Sequence, residues 1–211
     1  MSPTTSRGRL RPDLLEIAAL IEPGTRVLDL GCGEGELMAH LESARGVTAR
    51  GIEVKPERVV DCVAQGLAVC QGNIDDGLQD YEDGSFDYVV LSLILHLVSR
   101  PGLVVQEMLR VGRRGIVSIP NFGYWRIRLG LLARGRVPRA GCFKDPWYTT
   151  PTGHVMALND FRDFCGESGI RIEQERFVAS GGPVSRALAW ALPNTFAQLG
   201  IYVVSRSPAG R

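Results

Sequence analysis

The chain has 211 residues, 45% of them apolar, and a formal net charge of +1, which fits one domain with a sizeable core. It has no run of ~20 apolar residues, so a membrane is not an expected partner, and the polar, basic start Met1–Arg11 lacks the apolar stretch of a secretion signal. Five cysteines without a Cys-x-x-Cys pair, and three histidines (His40, His96, His154) without zinc-type spacing, exclude the usual metal motifs and point to free thiols in a reducing cytoplasm. Residues 1–10 are expected to be flexible. Pro12–Ile21 then reads as a short amphipathic helix, with Leu14, Leu15, Ala18 and Ile21 on one side and Pro23-Gly24 as its stop.

Next comes Val27-Leu-Asp-Leu-Gly-Cys-Gly-Glu-Gly35, a buried strand over 26–30 running through a glycine turn into a helix over 36–43. Glycines at such a turn let the backbone approach a ligand, because no Cβ intervenes. The spacing is Gly-x-Gly-x-Gly, and Glu36 stands where the dinucleotide fingerprint wants its third glycine. A tight turn without a ligand satisfies the same residues. With Asp29 ahead of it, the run resembles motif I of the class I S-adenosylmethionine (SAM) methyltransferases. A second strand, 49–53, ends in Glu53, about twenty residues past the glycines, where doubly wound folds place an acid that accepts from ribose hydroxyls. A solvated strand end is the alternative reading of Glu53. Pro56 opens a helix over 57–65, closed by Gly66, and Ala68–Gln71 is a short third strand. In the methyltransferases the residue at Asn73 meets the adenine amino group. The cofactor-binding set implied by this resemblance is Asp29, Gly31, Cys32, Gly33, Gly35, Glu53, Val54, Asn73, Ile74 and Ser92. Cys32 is read as a small residue filling the turn, with a nucleophilic thiol as the alternative.

Phe86–Ser92 is a fourth strand after the Asp83-Gly84 turn, apolar enough for a central parallel position. Methyl transfer is a displacement at an activated carbon, so beyond this strand an enzyme needs groups that orient an acceptor and take its proton. The sequence offers Leu93-Ile-Leu-His-Leu97. His96 is the candidate catalytic base; a half-buried histidine at a helix start is its alternative. The apolar neighbours suit a polar acceptor poorly.

Pro101–Val111 reads as a helix and Arg114–Pro120 as a fifth strand. Between Glu107 and Asp145 there is no acid, while Arg110, Arg113, Arg114, Arg126, Arg128, Arg134, Arg136, Arg139 and Lys144 accumulate. Tyr124, Trp125, Leu129 and Leu132 add an apolar stripe at helical spacing. Arginine beside tryptophan and tyrosine is a composition enriched at protein interfaces. Tyr124, Trp125, Arg126 and Arg128 are therefore candidate partner-binding residues. A solvated helix with a core stripe is the competing reading; nucleic acid is not expected, because no recognised motif accompanies the charge. Residues 121–157 form an inserted helix and lid segment, with Phe143–His154 placed to fold over the cofactor mouth.

Asn159–Ser168 reads as a helix capped by Asn159, Ile170–Val178 and Ile201–Ser205 as late strands, and Ala187–Leu192 as a short apolar helix. Ser207–Arg211 is expected to fray. Alternating strands and helices predict an α/β, Rossmann-like, doubly wound parallel sheet with right-handed crossovers. The methyltransferase resemblance adds a seventh strand running antiparallel.

From Arg11 to Val178 the chain resembles the MetW family of methyltransferase-like methionine biosynthesis proteins. The matching pieces are Arg26–Gly35, Gly84–Tyr88, Glu107–Arg113, Pro120-Asn-Phe-Gly-Tyr-Trp-Arg126, Trp147-Tyr148, Thr150-Pro151 and His154. The resemblance implies SAM as the cofactor and a role in making methionine through acylated homoserine. It also implies homoserine O-acetyltransferase as the partner whose activity the chain supports. SAM is made from methionine, so such a pocket would report end-product level. The family tends to carry glutamine near positions 93 and 96 and aspartate at 73, where this chain has Leu93, His96 and Asn73. A small-molecule methyltransferase using His96 is the alternative function.

Overall fold

A computed structural model describes residues 10–136 and 153–207. Residues 1–9 of the start expected to be flexible, most of the lid expected over Phe143–His154, and the last four residues of the tail expected to fray lie outside the described residues. Helix starts follow the prolines: α1 (Pro12–Leu20), α3 (Pro56–Ala64), α4 (Pro101–Val111) and α7 (Pro183–Ala191) each carry Pro in the first turn. A missing N–H is harmless there, since that position has no intrahelical acceptor. The remaining helices are α2 (Glu36–Arg45), α5 (Trp125–Arg134), α6 (Leu158–Glu167) and the single turn α8 (Pro193–Phe196).

The strands are β1 (Arg26–Leu30), β2 (Thr48–Glu53), β3 (Val69–Gln71), β4 (Phe86–Ser92), β5 (Gly112–Pro120), β6 (Ile170–Val178) and β7 (Leu199–Arg206). They form one seven-stranded sheet in the order β3-β2-β1-β4-β5-β7-β6. β7 runs antiparallel to both of its neighbours, and every other pairing is parallel. The apolar strands β1, β4 and β5 are central because both their faces are covered. One face packs on a core including Ile17, Met38 and Leu41 from α1 and α2. The other packs on Val105, Met108 and Phe161 from α4 and α6, where Phe161 meets Tyr202 with ring centroids 4.7 Å apart.

Element boundaries moved where tertiary contacts overrule local signals. β5 begins at Gly112 rather than Arg114, directly from α4; a Cβ on Gly112 would lie 2.6 Å from Val89 Cγ2, so only glycine lets the strand start this close to β4. Asn159 is not the cap of α6. The helix begins at Leu158, Asp160 Oδ2 accepts from the Ala157 N–H at 2.8 Å, and Asn159 Oδ1 instead accepts from Arg162 Nη1 at 3.1 Å. α7 starts at Pro183, four residues ahead of the expected Ala187. Among the described residues no helix is long and apolar enough to cross a membrane.

The chain steps from β1 outward to β2 and β3, then crosses back to place β4 on the other side of β1. The carboxyl ends of β1 and β4 therefore bound the crevice in which ligands of open α/β sheets sit.

Candidate cofactor site

The glycine turn after β1 adopts left-handed φ at Gly31, Gly33 and Gly35 (72°, 60° and 75°). Its three glycines do different work. A Cβ on Gly35 would lie 2.3 Å from Leu67 Cδ1, so that residue permits close packing on the segment before β3. A Cβ on Gly31 would lie 3.0 Å from Ile94 Cγ1. A Cβ on Gly33 would meet nothing closer than Arg58 Nη1 at 3.8 Å, so Gly33 keeps space open rather than packing against the protein.

The turn is braced from β2. Gly31 and Cys32 N–H groups donate to the Ile52 carbonyl at 2.8 and 3.1 Å. Glu53 is 4% exposed; its Oε2 accepts from the Gly33 N–H and its Oε1 from the Lys55 N–H, both at 3.0 Å. Glu53 is thus a buried brace rather than a solvated strand end. A carboxylate has about four acceptor sites, so capacity remains for ribose hydroxyls.

Asp29, Gly31, Cys32, Gly33 and Ser92 converge on one cavity of about 360 Å³, within the range of small-molecule sites. Arg11, Arg58, Leu93 and Ile94, none of them foreseen as site residues, line it as well. Asp29 is 4% exposed and faces this cavity, and among the described residues its carboxylate accepts no hydrogen bond. Burial pushes its carboxyl up to about 7, with Arg11 opposing the rise and Glu53 adding to it. Leu93, with φ 55°, is the one non-glycine residue with positive φ among the described residues. Its N–H donates to the Ser118 carbonyl at 3.1 Å and to Ser118 Oγ at 3.0 Å, bonds that hold the strained backbone over the crevice. A largely buried carboxylate lining the cavity beside a glycine cradle that a side chain would fill fits a polar organic cofactor such as SAM.

Of the other expected site residues, Val54, Asn73 and Ile74 are not among those lining this cavity. Val54 is exposed and Ile74 packs against the core. Asn73 Oδ1 accepts from the Asp75 N–H at 3.1 Å, capping the 3-10 turn Ile74–Asp76. Burial pushes the Cys32 thiol up, and its sulfur occupies the space where a Cβ on Gly51 would come within 2.6 Å. That suits a filler and not a nucleophile. His96 sits in a turn after β4, not at a helix start, and is not among the residues lining the cavity. Its buried Nδ1 has no partner among the described residues, and burial, then His154, lowers its pKa. A larger surface cleft of about 540 Å³ borders Arg100, Glu107 and Arg110, away from the strand ends. Arg110 there already bonds Glu107 and Asp83, so its charges satisfy one another.

The arginine-rich segment divides in two. Arg110, Arg113 and Arg114 are paired with Asp83, Glu107, Asp87, Glu22 and Glu173. Tyr124 is buried, and Arg128 donates to the carbonyls of Gly123 and Asn194, so both are structural. Arg126 lies over the Trp125 ring at 5.4 Å. Arg126, Arg134 and Arg136 have no carboxylate partner among the described residues. Leu129 and Leu132 are 53% and 85% exposed, so the stripe on α5 faces solvent rather than core. On α7 and just after it, Val184, Trp190 and Leu192 are 73%, 80% and 57% exposed.

The family profile described as "Methionine biosynthesis protein MetW" matches residues 11–204. A relative in Rhodopirellula baltica, the bifunctional methionine biosynthesis protein MetXA/MetW, is 34% identical over 80% of this chain and 28% of its own length. Ajmaline N-methyltransferase of Rauvolfia serpentina is 35% identical over 44% of this chain and 34% of its own length. The chain thus spans about a third or less of these curated relatives. Among solved structures, the methyltransferase in complex with the Haloferax volcanii activator Trm112 superposes with a TM-score of 0.66 at 16% identity, covering 94% of this chain and 90% of that one. A SAM-dependent methyltransferase from Mesorhizobium loti gives 0.64 at 17% identity, covering 92% and 96%. These neighbours share the class I methyltransferase fold. With most of its length matched, the chain belongs to the MetW family of methionine biosynthesis proteins.

Proposed function

We propose that this chain is a SAM-binding, methyltransferase-like subunit that supports homoserine O-acetyltransferase in the cytoplasm. The observation that carries the partner reading is the exposure of Leu129, Leu132, Arg126 and Arg134 on α5 and of Trp190 and Leu192 at the end of α7. Large solvent-facing apolar side chains beside unpaired arginines are a composition of interface centres. The N-terminal end of α5 is tied to the same backbone as α7 and α8: Arg128 and Asn121 both donate to the Asn194 carbonyl. The bifunctional relative, which joins MetXA and MetW in its name, supports a partner acting in the same biosynthesis.

Support for SAM comes from the glycine cradle, the buried Glu53 brace and the Asp29 carboxylate lining the cavity. When bound, SAM would supply an activated methyl group. Among the described residues, Ser92, Leu93 and Ile94 line the cavity at the β4 end, and His96 does not. The pocket therefore reads as a sensing or bracing site. Co-expression with the host acetyltransferase tests the proposal: the two proteins should co-purify, and acetylhomoserine formation should exceed that of the acetyltransferase alone. Equal activity with and without this chain would reject the supporting role.

A further inference from the structure

Ala189 is the one buried residue of α7. Val184, Leu188 and Leu192, the last at the C-cap, recur every four residues and so share one side of the helix. They are 73%, 39% and 57% exposed. Ala187, Ala191 and the 80%-exposed Trp190 widen that side, and all of them are exposed. Spaced by the helical repeat, this apolar side sweeps about half of the circumference, while Arg186 falls opposite it with Ala189. Apolar residues scattered singly over a surface are ordinary, but a continuous stripe is the pattern of a helix that enters a groove. The charges beside it have one sign. No Asp or Glu follows Glu175 in the sequence, and none lies between Glu107 and Asp145. Arg128 Nη2 donates to the Asn194 carbonyl at 3.3 Å, which sets the start of α5 against the turn that follows α7. β6 also packs on α7, but its Glu173 and Glu175 are paired with Arg114 and Arg162. Arg126, Arg134 and Arg186 have no carboxylate partner among the described residues. A second copy would set like charges against each other, and a membrane surface favours a helix with many basic residues, where α7 has Arg186 alone. A protein surface bearing carboxylates fits both the stripe and the charge.

We propose that α7 is a docking helix, whose Val184–Leu188–Leu192 stripe and Trp190 enter an apolar groove of the acetyltransferase that is rimmed by carboxylates. The assignment rests on the partner reading above and deepens it, naming the inserted element and the chemistry of the surface that receives it. Burial of the stripe supplies affinity, and the carboxylates meet the unpartnered arginines and fix the orientation.

Val184 stands in the first turn of α7, where the helix dipole favours Glu over Lys. A carboxylate rim demands the reverse order, so binding and helix stability pull apart at this position. The test is calorimetric titration of the acetyltransferase with the full chain. Val184→Glu should weaken the complex at least about 30-fold and Val184→Lys no more than about threefold, a gap the size of one charge-assisted hydrogen bond. Raising salt from about 0.05 to about 0.5 M should narrow that gap, because rim charges are screened. Val184 is 73% exposed, so both variants fold, and a thermal melt checks that they do. Equal losses for Glu and Lys would overturn the carboxylate rim. Full affinity of Val184→Glu would overturn α7 as the docking element. Either result, with wild type still raising acetyltransferase activity, leaves the supporting role standing. A wild type that forms no complex would overturn the partner reading itself. Self-association of wild type in ultracentrifugation, or its binding to phosphatidylglycerol vesicles, lost in Val184→Glu, would overturn the proposal in favour of a second copy or a membrane.

Discussion

The crevice at the ends of β1 and β4 and the outer face of α5 and α7 are built on opposite physical terms. The crevice is concave and backbone-lined, with its loop pinned by Ile52 and Glu53 and its polar groups buried. The helices leave Leu132 and Trp190 mostly in water, and Arg126 and Arg134 have no carboxylate partner among the described residues. A preformed cradle of this kind suits a small ligand; an apolar surface that is unfavourable in water suits burial by another protein. On the proposed function, the two regions serve separate tasks, so damage to one should spare the other.

The largest expected effect is on the crevice. Gly33→Val forces a branched side chain into left-handed φ and into open cavity space, and should weaken SAM binding about 100-fold in calorimetry while the acetyltransferase complex survives. Loss of both together would break the comparison. Next comes the opposite face. Trp190→Ala removes an 80%-exposed ring, so the melting temperature should hold while affinity for the acetyltransferase falls about 30-fold by surface plasmon resonance. Normal complex formation would remove Trp190 from the interface.

Asp29 sharpens the comparison through pH. Its folded carboxyl titrates at about 7, above the ordinary value of 3.8, so the folded chain holds a proton that the unfolded chain releases. The stability from this proton is present at low pH and is lost as pH rises to about 7. Asp29→Asn should therefore melt several degrees above ligand-free wild type at pH 8, with a smaller gap at pH 5; each 1 kcal/mol is roughly 2–4 °C at this size. An equal gap at both values would contradict a buried, titrating carboxylate. The same variant should bind SAM less well, because the buried charge serves the ligand. The smallest effect separates two neighbouring arginines. Arg128→Ala should lose about 1–2 kcal/mol of stability in urea unfolding without changing partner affinity, since its guanidinium is spent on Gly123 and Asn194. Arg126→Glu should do the reverse, weakening the complex at unchanged stability.

The two regions also differ in how far they could be read from residues alone. The alternation of strands and helices, the glycine turn and the acid ending β2 were legible because each depends on neighbours in sequence or on a known spacing. What escaped depends on distant contacts. Arg11 sits ahead of a helix with no signal of its own, and enters the site only because α1 packs beside α2. Leu93 takes a backbone conformation that its side chain does not advertise, held by Ser118 on β5. Tyr124 and Arg128 resemble surface anchors in the sequence, but Tyr124 is buried and Arg128 folds back onto the carbonyls of Gly123 and Asn194, in a segment that Asn121 ties to the carbonyls of Asn194 and Ala197 at 3.1 and 2.8 Å. Asn73 Oδ1 caps its own turn, a contact with Asp75 that its position in the sequence does not announce.

Acetylhomoserine formation by the acetyltransferase co-purified with this chain tests the separation most directly. The complex with wild type and the complex with Gly33→Val should both form, and the Trp190→Ala chain should fail to raise acetyltransferase activity while still binding SAM. Full stimulation by Trp190→Ala, or loss of the complex in Gly33→Val, would contradict two independent sites on this fold.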